Sequence, residues 1–356
     1  MPQPTAPGTE PIRLTSLSPA AGCGCKIAPS ELEKILHGQE AIIPDPRLLV
    51  GYGSRDDAAV YDLGGDRCLI STTDFFAPIV DDPFDFGRIA ATNALSDVYA
   101  MGGTPLLAVA ILGWPIEKLG AGPARMVVEG GRRACHDAGI VLAGGHSIDA
   151  PVPFFGLAVT GEVNRACLKR NDTAHAGDRL YLTKPLGIGI LSTALKRGQL
   201  PESEKMIGRD LMAGLNSVGI ALGKLDTVHA LTDVTGFGLL GHLLEVCRGS
   251  GLNAALRYDA VPKIPEALRC LAGGHYPDGA LRNWKSYAHE VSGASTMERM
   301  LLLSDPQTSG GLLIACAPEG AADVERTLRD AGIEAGPIGQ LHARDAQVQG
   351  ARVVVE

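Results

Sequence analysis

Apolar and polar positions along this 356-residue chain switch between a helical and a strand period, and the switches delimit its elements. Over residues 84–101 the positions Ile89, Ala90, Ala94, Leu95, Val98 and Met101 fall on one helical side, and Gly102-Gly103 closes that helix. The same period predicts helices over Pro123 to Ala138, about 187–197, 205–223, a stretch ending near 248, and 319–331. A shorter helix is predicted from Pro29 to His37, with Leu32, Ile35 and Leu36 on one face. Strand patterns cover the run into Val60, Cys68 to Asp74, Leu106 to Leu112, Ile140 to Ala143 and Phe155 to Val163. They recur over Arg179 to Thr183, Val228 to Leu231 and Leu312 to Cys316, and close the chain. Strands alternating with helices predict an α/β or interleaved α+β class. The polar stretch 164–177 reads as a boundary between two halves, and both halves place an aspartate between a strand and a helix.

Composition sharpens this picture in three ways. At 45% hydrophobic residues the chain can bury a large core, and its length favours two domains. A formal net charge of -8 carries no electrostatic footprint for nucleic acid, so anionic substrates need a local lysine, metal or helix N-terminus. The eight cysteines are mostly scattered singly in apolar surroundings, as reduced cytosolic thiols are, rather than in a disulfide framework. Residues 1–20 lack the basic and apolar regions of a secretory signal, and no apolar run approaches a membrane span. The expectation is a soluble cytoplasmic protein with no nucleic-acid or membrane partner.

Candidate chemistry begins near the N-terminus. Gly22-Cys23-Gly24-Cys25-Lys26 sets two thiols one residue apart among glycines, ahead of a lysine. Glycine permits close backbone approach, and a neighbouring ammonium favours the reactive thiolate. The segment reads as a mobile arm with a nucleophile or a soft-ligand grip; a buried pair of small residues and half a metal site are the alternatives. Downstream, Asp56 and Asp57 follow a glycine turn, Asp74 ends a strand, and Asp233 opens a strand-to-helix turn. Asp97 lies one helical turn from Asn93, on the same face. Each aspartate alone suits a cap or turn; five in such contexts suit Mg²⁺, which takes a few carboxylates plus waters and phosphates. Gly144-Gly145-His146-Ser147 follows a buried strand as phosphate-cradling loops do, but lacks both the Walker and the dinucleotide patterns. Asp305-Pro306-Gln307-Thr308-Ser309-Gly310-Gly311 reads equally as a ligand loop or a tight turn.

Taken in order, these segments resemble one family. Gly22 to Lys26, Arg55-Asp56-Asp57-Ala58-Ala59-Val60, Ser71 to Phe76, Ala91 to Asp97, Gly144 to Asp149, Thr232 to Gly238 and Asp305 to Gly311 closely resemble selenophosphate synthetase (selenide, water dikinase). The aspartate and glycine motifs are shared with a wider ATP-using superfamily that includes aminoimidazole ribonucleotide synthetase; the Cys-Gly-Cys-Lys arm is the part specific to selenium. The resemblance implies that selenide, ATP and water give selenophosphate, orthophosphate and AMP, the selenophosphate serving selenocysteine and selenouridine synthesis. It implies a two-domain aminoimidazole ribonucleotide synthetase-like fold: a flexible arm over 1–50, an ATP- and Mg²⁺-binding dimerisation domain over 51–165, and a C-terminal α/β domain over 175–356. It implies a homodimer with the nucleotide near the subunit interface. By position it makes Cys23 and Lys26 catalytic, and Asp57, Asp97 and Asp233 magnesium ligands. Lys26, Ser54, Arg55, Asp56, Asp74 and Asp97 become ATP contacts, and Gly145, His146 and Ser147 contacts from the partner subunit. Two other readings remain: a superfamily relative with another small substrate, and a non-catalytic chalcogen- or metal-binding protein using Cys23 and Cys25.

Overall fold

The computed structural model describes residues 13–17, 31, 34–35, 45–51, 53, 56–344 and 350–356. Cys23, Cys25, Lys26, Ser54 and Arg55, and most of the helix expected over Pro29 to His37, lie outside the described residues. The first half is a six-stranded sheet of β1 (Leu48–Val50), β2 (Ala59–Gly64), β3 (Arg67–Phe76), β4 (Thr104–Trp114), β5 (Val141–Asp149) and β6 (Phe154–Asn164), in the order β1-β2-β3-β6-β4-β5. Its pairs are antiparallel except β4 with β5. One face is covered by two helices, α1 (Pro83–Ala100) and α2 (Ala121–Asp137).

Helix α1 is the spine of the molecule. Asp82 caps it by accepting from the Asp85 amide at 2.8 Å, Pro83 stands at the first turn, and Gly102 at φ 72° ends it. From Phe86 to Ala100 only Arg88 escapes full burial, because the sheet, α2 and the second half surround the helix on all sides. Alanines and Gly87 let the neighbours close in: a Cβ on Gly87 would stand 1.8 Å from the Val127 carbonyl oxygen, and one on Gly130 1.9 Å from that of Phe84. This all-round burial sets Thr92, Asn93, Ser96 and Asp97 inside the protein, where polar groups require partners.

The second half is a seven-stranded sheet, ordered β10-β13-β9-β12-β7-β11-β8. Its strands are β7 (Arg179–Leu182), β8 (Val228–Asp233), β9 (Leu252–Leu256), β10 (Val291–Ser292), β11 (Leu312–Cys316), β12 (Gly339–Ala343) and β13 (Val353–Val355). It too is mainly antiparallel, with β13 parallel to β9 and β10. The architecture is therefore two mixed sheets with helices, the α+β side of the expectation. The helix expected over 205–223 is two, Lys205–Ala213 and Val218–Gly223, broken where Asn216 turns inward. Helices at Pro265–Ala272, Asp278–Tyr287 and Met297–Leu303 had no sequence expectation.

Among the described residues, the second face of the first sheet carries no helix. Ser71, Thr73 and Phe75 point there from β3, and Leu107, Val109 and Ile111 from β4, since alternate strand residues share a face. Phe75 is 48% exposed, and Ile148 on the edge strand β5 is 50% exposed, an apolar surface of the kind that marks interaction sites.

Candidate active site

Strand period and helix period meet in one lock. Thr72 and Asp74 share the inner face of β3, and Asn93 and Asp97 share one face of α1 opposite them. Thr72 Oγ1 donates to Asp97 Oδ2, and Asn93 Nδ2 donates to Asp74 Oδ2 at 2.8 Å. The same asparagine then reaches into the second half, its Oδ1 accepting from the Ser309 amide at 2.7 Å. One turn along, Asn216 Nδ2 donates to Ser96 Oγ at 2.8 Å and to the Gly310 carbonyl at 2.7 Å.

Asp57 lies where the halves touch. Its Oδ1 accepts from Thr232 Oγ1 of β8 at 3.0 Å, while its Oδ2 is buried with no hydrogen-bond partner among the described residues. Burial, then the nearby charges of Asp233, Asp56 and Asp97, push its carboxyl well above the usual range. Asp56, held by the Asp57 and Asn171 amides at 3.1 and 3.3 Å, is pushed up to about 7, chiefly by burial. Asp57, raised by three neighbouring carboxylates and with one buried oxygen facing no donor among the described residues, stands in a set that a hard divalent cation satisfies. Among the described residues no three His, Cys, Asp or Glu side chains stand as a ready-made cage.

The structure thus brings together Asp56, Asp57, Asp97 and Asp233, with Asp74 joined through Asn93. Gly145, His146 and Ser147 are elsewhere. The loop expected at Gly144 to Ser147 is strand: β5 runs unbroken to Asp149, and its residues there are exposed. Gly145, at φ 155°, serves close pairing with β4, since a Cβ would stand 2.3 Å from the Ala110 carbonyl oxygen. On the sheet order, β5 is three strands from β3, about 14 Å at the usual strand spacing.

Three groups here had no sequence expectation. Lys184 Nζ donates to the Gly214 and Ser309 carbonyls at 2.7 and 2.8 Å, and burial lowers it to about 7 against the opposing pull of Asp233. Thr232 and Asn216 bridge the halves. Thr183-Lys184-Pro185, a strand end running into a turn, repeats the context of Asp233 and was the available signal for Lys184. The 305–311 loop, open to two readings in the sequence, is wholly buried. Ser309 adopts φ 49°, a conformation non-glycine residues pay for, held by the Asn93 contact.

Residues 55–163 match the family model for the AIR synthase related protein, N-terminal domain, and residues 175–350 that for the C-terminal domain. Selenide, water dikinase of Pseudomonas putida is 59% identical over 338 residues, covering 95% of this chain and 98% of its own. The protein of that name from Photorhabdus laumondii is 56% identical over 345 residues, covering 97% and 98%. Among solved structures, thiamine-monophosphate kinase from Stenotrophomonas maltophilia superposes with TM-score 0.65 at 21% identity, covering 93% of this chain and 96% of that one. Hydrogenase maturation protein HypE in complex with ATP superposes with TM-score 0.62 at 22% identity, covering 88% and 87%.

Proposed function

The chain belongs to the selenide, water dikinase family of AIR synthase related proteins, and from that premise we propose how its residues divide the work. It synthesises selenophosphate from selenide, ATP and water, releasing AMP and orthophosphate. The observation that carries the site reading is the meeting of Asp57 and Asp97 from the first half with Thr232 and Asp233 from the second. Asp57, Asp97 and Asp233 would hold Mg²⁺, which when bound neutralises phosphate oxygens and orients them for displacement.

The chain's own groups supply the rest. Thr232 and Thr72 fix the carboxylates of Asp57 and Asp97. Asn93 ties Asp74 to the 305–311 loop, which links this nucleotide contact to the second half. Lys184, lowered to about 7 by burial against the pull of Asp233, borders the acidic cluster and is fully charged there only below neutral pH. Ser54 and Arg55 complete the nucleotide contacts. Cys23 guides selenide as a thiolate and Lys26 adds a cation at the phosphates.

The acting unit is a homodimer in the cytoplasm. The bare sheet face around Phe75 and the exposed edge β5 support the dimer, which brings Gly145, His146 and Ser147 of the partner subunit to the nucleotide. Six described cysteines are free thiols, in keeping with that compartment; no described helix is long and apolar enough to cross a membrane. Sedimentation at micromolar concentration should give a dimer that Ile148→Lys dissociates; a monomeric native protein refutes this part.

Phosphorus NMR with ATP and Mg²⁺, with and without anaerobic selenide, tests the whole. A selenide-dependent selenophosphate resonance with AMP and orthophosphate is expected, and Cys23→Ser should abolish it. Nucleotide turnover indifferent to selenide would overturn the substrate, and full activity of Cys23→Ser would overturn the role of that thiol.

A further inference from the structure

A cavity of about 440 Å³ opens on the other side of the 305–311 loop. One wall is the helix Ile188–Lys196, whose residues Gly189, Ser192, Thr193 and Lys196 fall on one stripe at three- and four-residue spacing. The facing wall is the start of the helix Asp278–Tyr287, which presents Gly279 and Arg282 and has no side-chain cap. Pro306 and Thr308 form the floor, and Tyr276 is the aromatic side chain along the lining.

The charge of this cleft runs against that of the protein. Among the described residues, Lys196, Arg197 and Arg282 line it with Asp278 as the acid in the lining, while the whole chain carries -8. Arg13, whose Nε pairs with Asp81 at 3.5 Å, reaches the rim, where its Nη2 donates to the Lys196 carbonyl at 3.1 Å. Concentrated positive charge in a concave, partly apolar site of this volume is the ordinary form of a small-anion pocket. Arginine with hydroxyl donors and a helix start is the donor set that phosphate oxygens take. The loop that floors the cleft also bonds to Asn93 and Asn216 through Ser309 and Gly310, so it is a partition between the cleft and the carboxylate cluster.

We propose that this cleft is a second phosphate-binding site, separate from the carboxylates, that takes a small phosphate monoester dianion of about nucleoside monophosphate size. Arg282 and Lys196 bind the phosphate from opposite walls, Ser192 and Thr193 add hydroxyl donors, and Tyr276 borders the organic part. The assignment rests on the charge and shape of the cleft and does not depend on the reaction at the carboxylates.

The test is calorimetry on the full-length protein in EDTA, with AMP, ribose 5-phosphate, orthophosphate and adenosine as probes, with and without a saturating non-hydrolysable ATP analogue. AMP should bind one site that the analogue does not displace, and adenosine should not bind. Ribose 5-phosphate or orthophosphate matching AMP would support a site that reads phosphate alone; weaker binding of both would assign part of the affinity to the base. Arg282→Gln and Lys196→Gln should each weaken AMP binding about 10- to 100-fold, the loss of a charge-assisted contact. Both residues are off the carboxylate cluster, so selenide-dependent turnover and thermal midpoint of the variants should match the native protein and serve as the folding control. No AMP binding in EDTA, displacement by the analogue, equal binding of adenosine, or native affinity in both folded variants would each overturn the proposal.

Discussion

Replacing Asp305 by asparagine isolates the cost of one buried carboxyl at the start of the 305–311 loop. Asp305 Oδ2 accepts from the Gly189 amide at 2.9 Å and from Gln307 Nε2 at 2.8 Å, while Oδ1 is buried with no hydrogen-bond partner among the described residues. Burial outweighs those donors and moves the carboxyl from 3.8 up to about 8. Between those values the native state keeps a proton that the unfolded chain has lost. Stability therefore falls as pH rises from about 4 to about 8, by about 1.4 kcal/mol per pH unit, and the penalty is complete above that window. Across pH 5.5 to 8 this amounts to about 3 kcal/mol. Asparagine keeps the acceptor for Gly189 and Gln307 but cannot ionise, and any packing cost it brings is independent of pH. The assay is urea denaturation of native and Asp305→Asn protein at pH 5.5, 6.5, 7.5 and 8. The variant should gain on the native protein by about 1 kcal/mol per pH unit, within the spread of such linkage effects. Parallel pH profiles would refute the reasoning, because they would mean Asp305 ionises in the folded state much as it does in the unfolded one.

Other perturbations separate the remaining parts of the site. Asp57→Asn should lower Mg²⁺-dependent selenophosphate formation by about 100-fold or more, a typical loss for one electrostatic group at a reacting phosphate, yet raise the metal-free thermal midpoint by relieving repulsion from Asp233, Asp56 and Asp97. Parallel losses of activity and midpoint would show a fold defect instead. Gly145→Ala should break the β4–β5 pairing, since its Cβ meets the Ala110 backbone, and shift a sedimentation profile toward monomer; an unchanged profile removes β5 from the interface. Asn216→Ala leaves the Gly310 carbonyl without its buried donor and should cost about 1–3 kcal/mol in denaturation. A change below about 0.5 kcal/mol would show that the bridge between halves carries little.

The parts of this molecule legible in the sequence are those set by short-range periodicity. The apolar spacing from Ile89 to Met101 located α1 within a residue, because a helix packed on all sides must be apolar on most of them. Asn93 and Asp97 could be placed on one face for the same reason. The Gly144-Gly145 pair misled: glycines commonly punctuate a chain, but here they permit an extended strand to approach its neighbour, and the Ala110 backbone that demands this is 35 residues away. The buried state of 305–311 was not legible, because its partners Asn93 and Asn216 belong to different segments. Lys184 escaped notice because its strand-end context marks a position and not desolvation; its carbonyl partners are 30 and 125 residues distant.

The bonds that join the halves also set a timetable for biosynthesis. Asp57 and Thr232 are separated by 175 residues, and Asn93 and Ser309 by 216. At a synthesis rate of about 5–20 residues per second, the first partner of each pair waits roughly 9–43 s for the second. During that interval the first sheet emerges with Asp57 and Asp97 still facing water, where neighbouring negative charges repel weakly. The electrostatic burden falls on the last step, when the second sheet seals the carboxylates away from solvent. A nascent chain paused before residue 232 thus carries only the carboxylates of the first half, hydrated and in little conflict with one another, and the desolvation that raises Asp57 begins only when the second sheet docks.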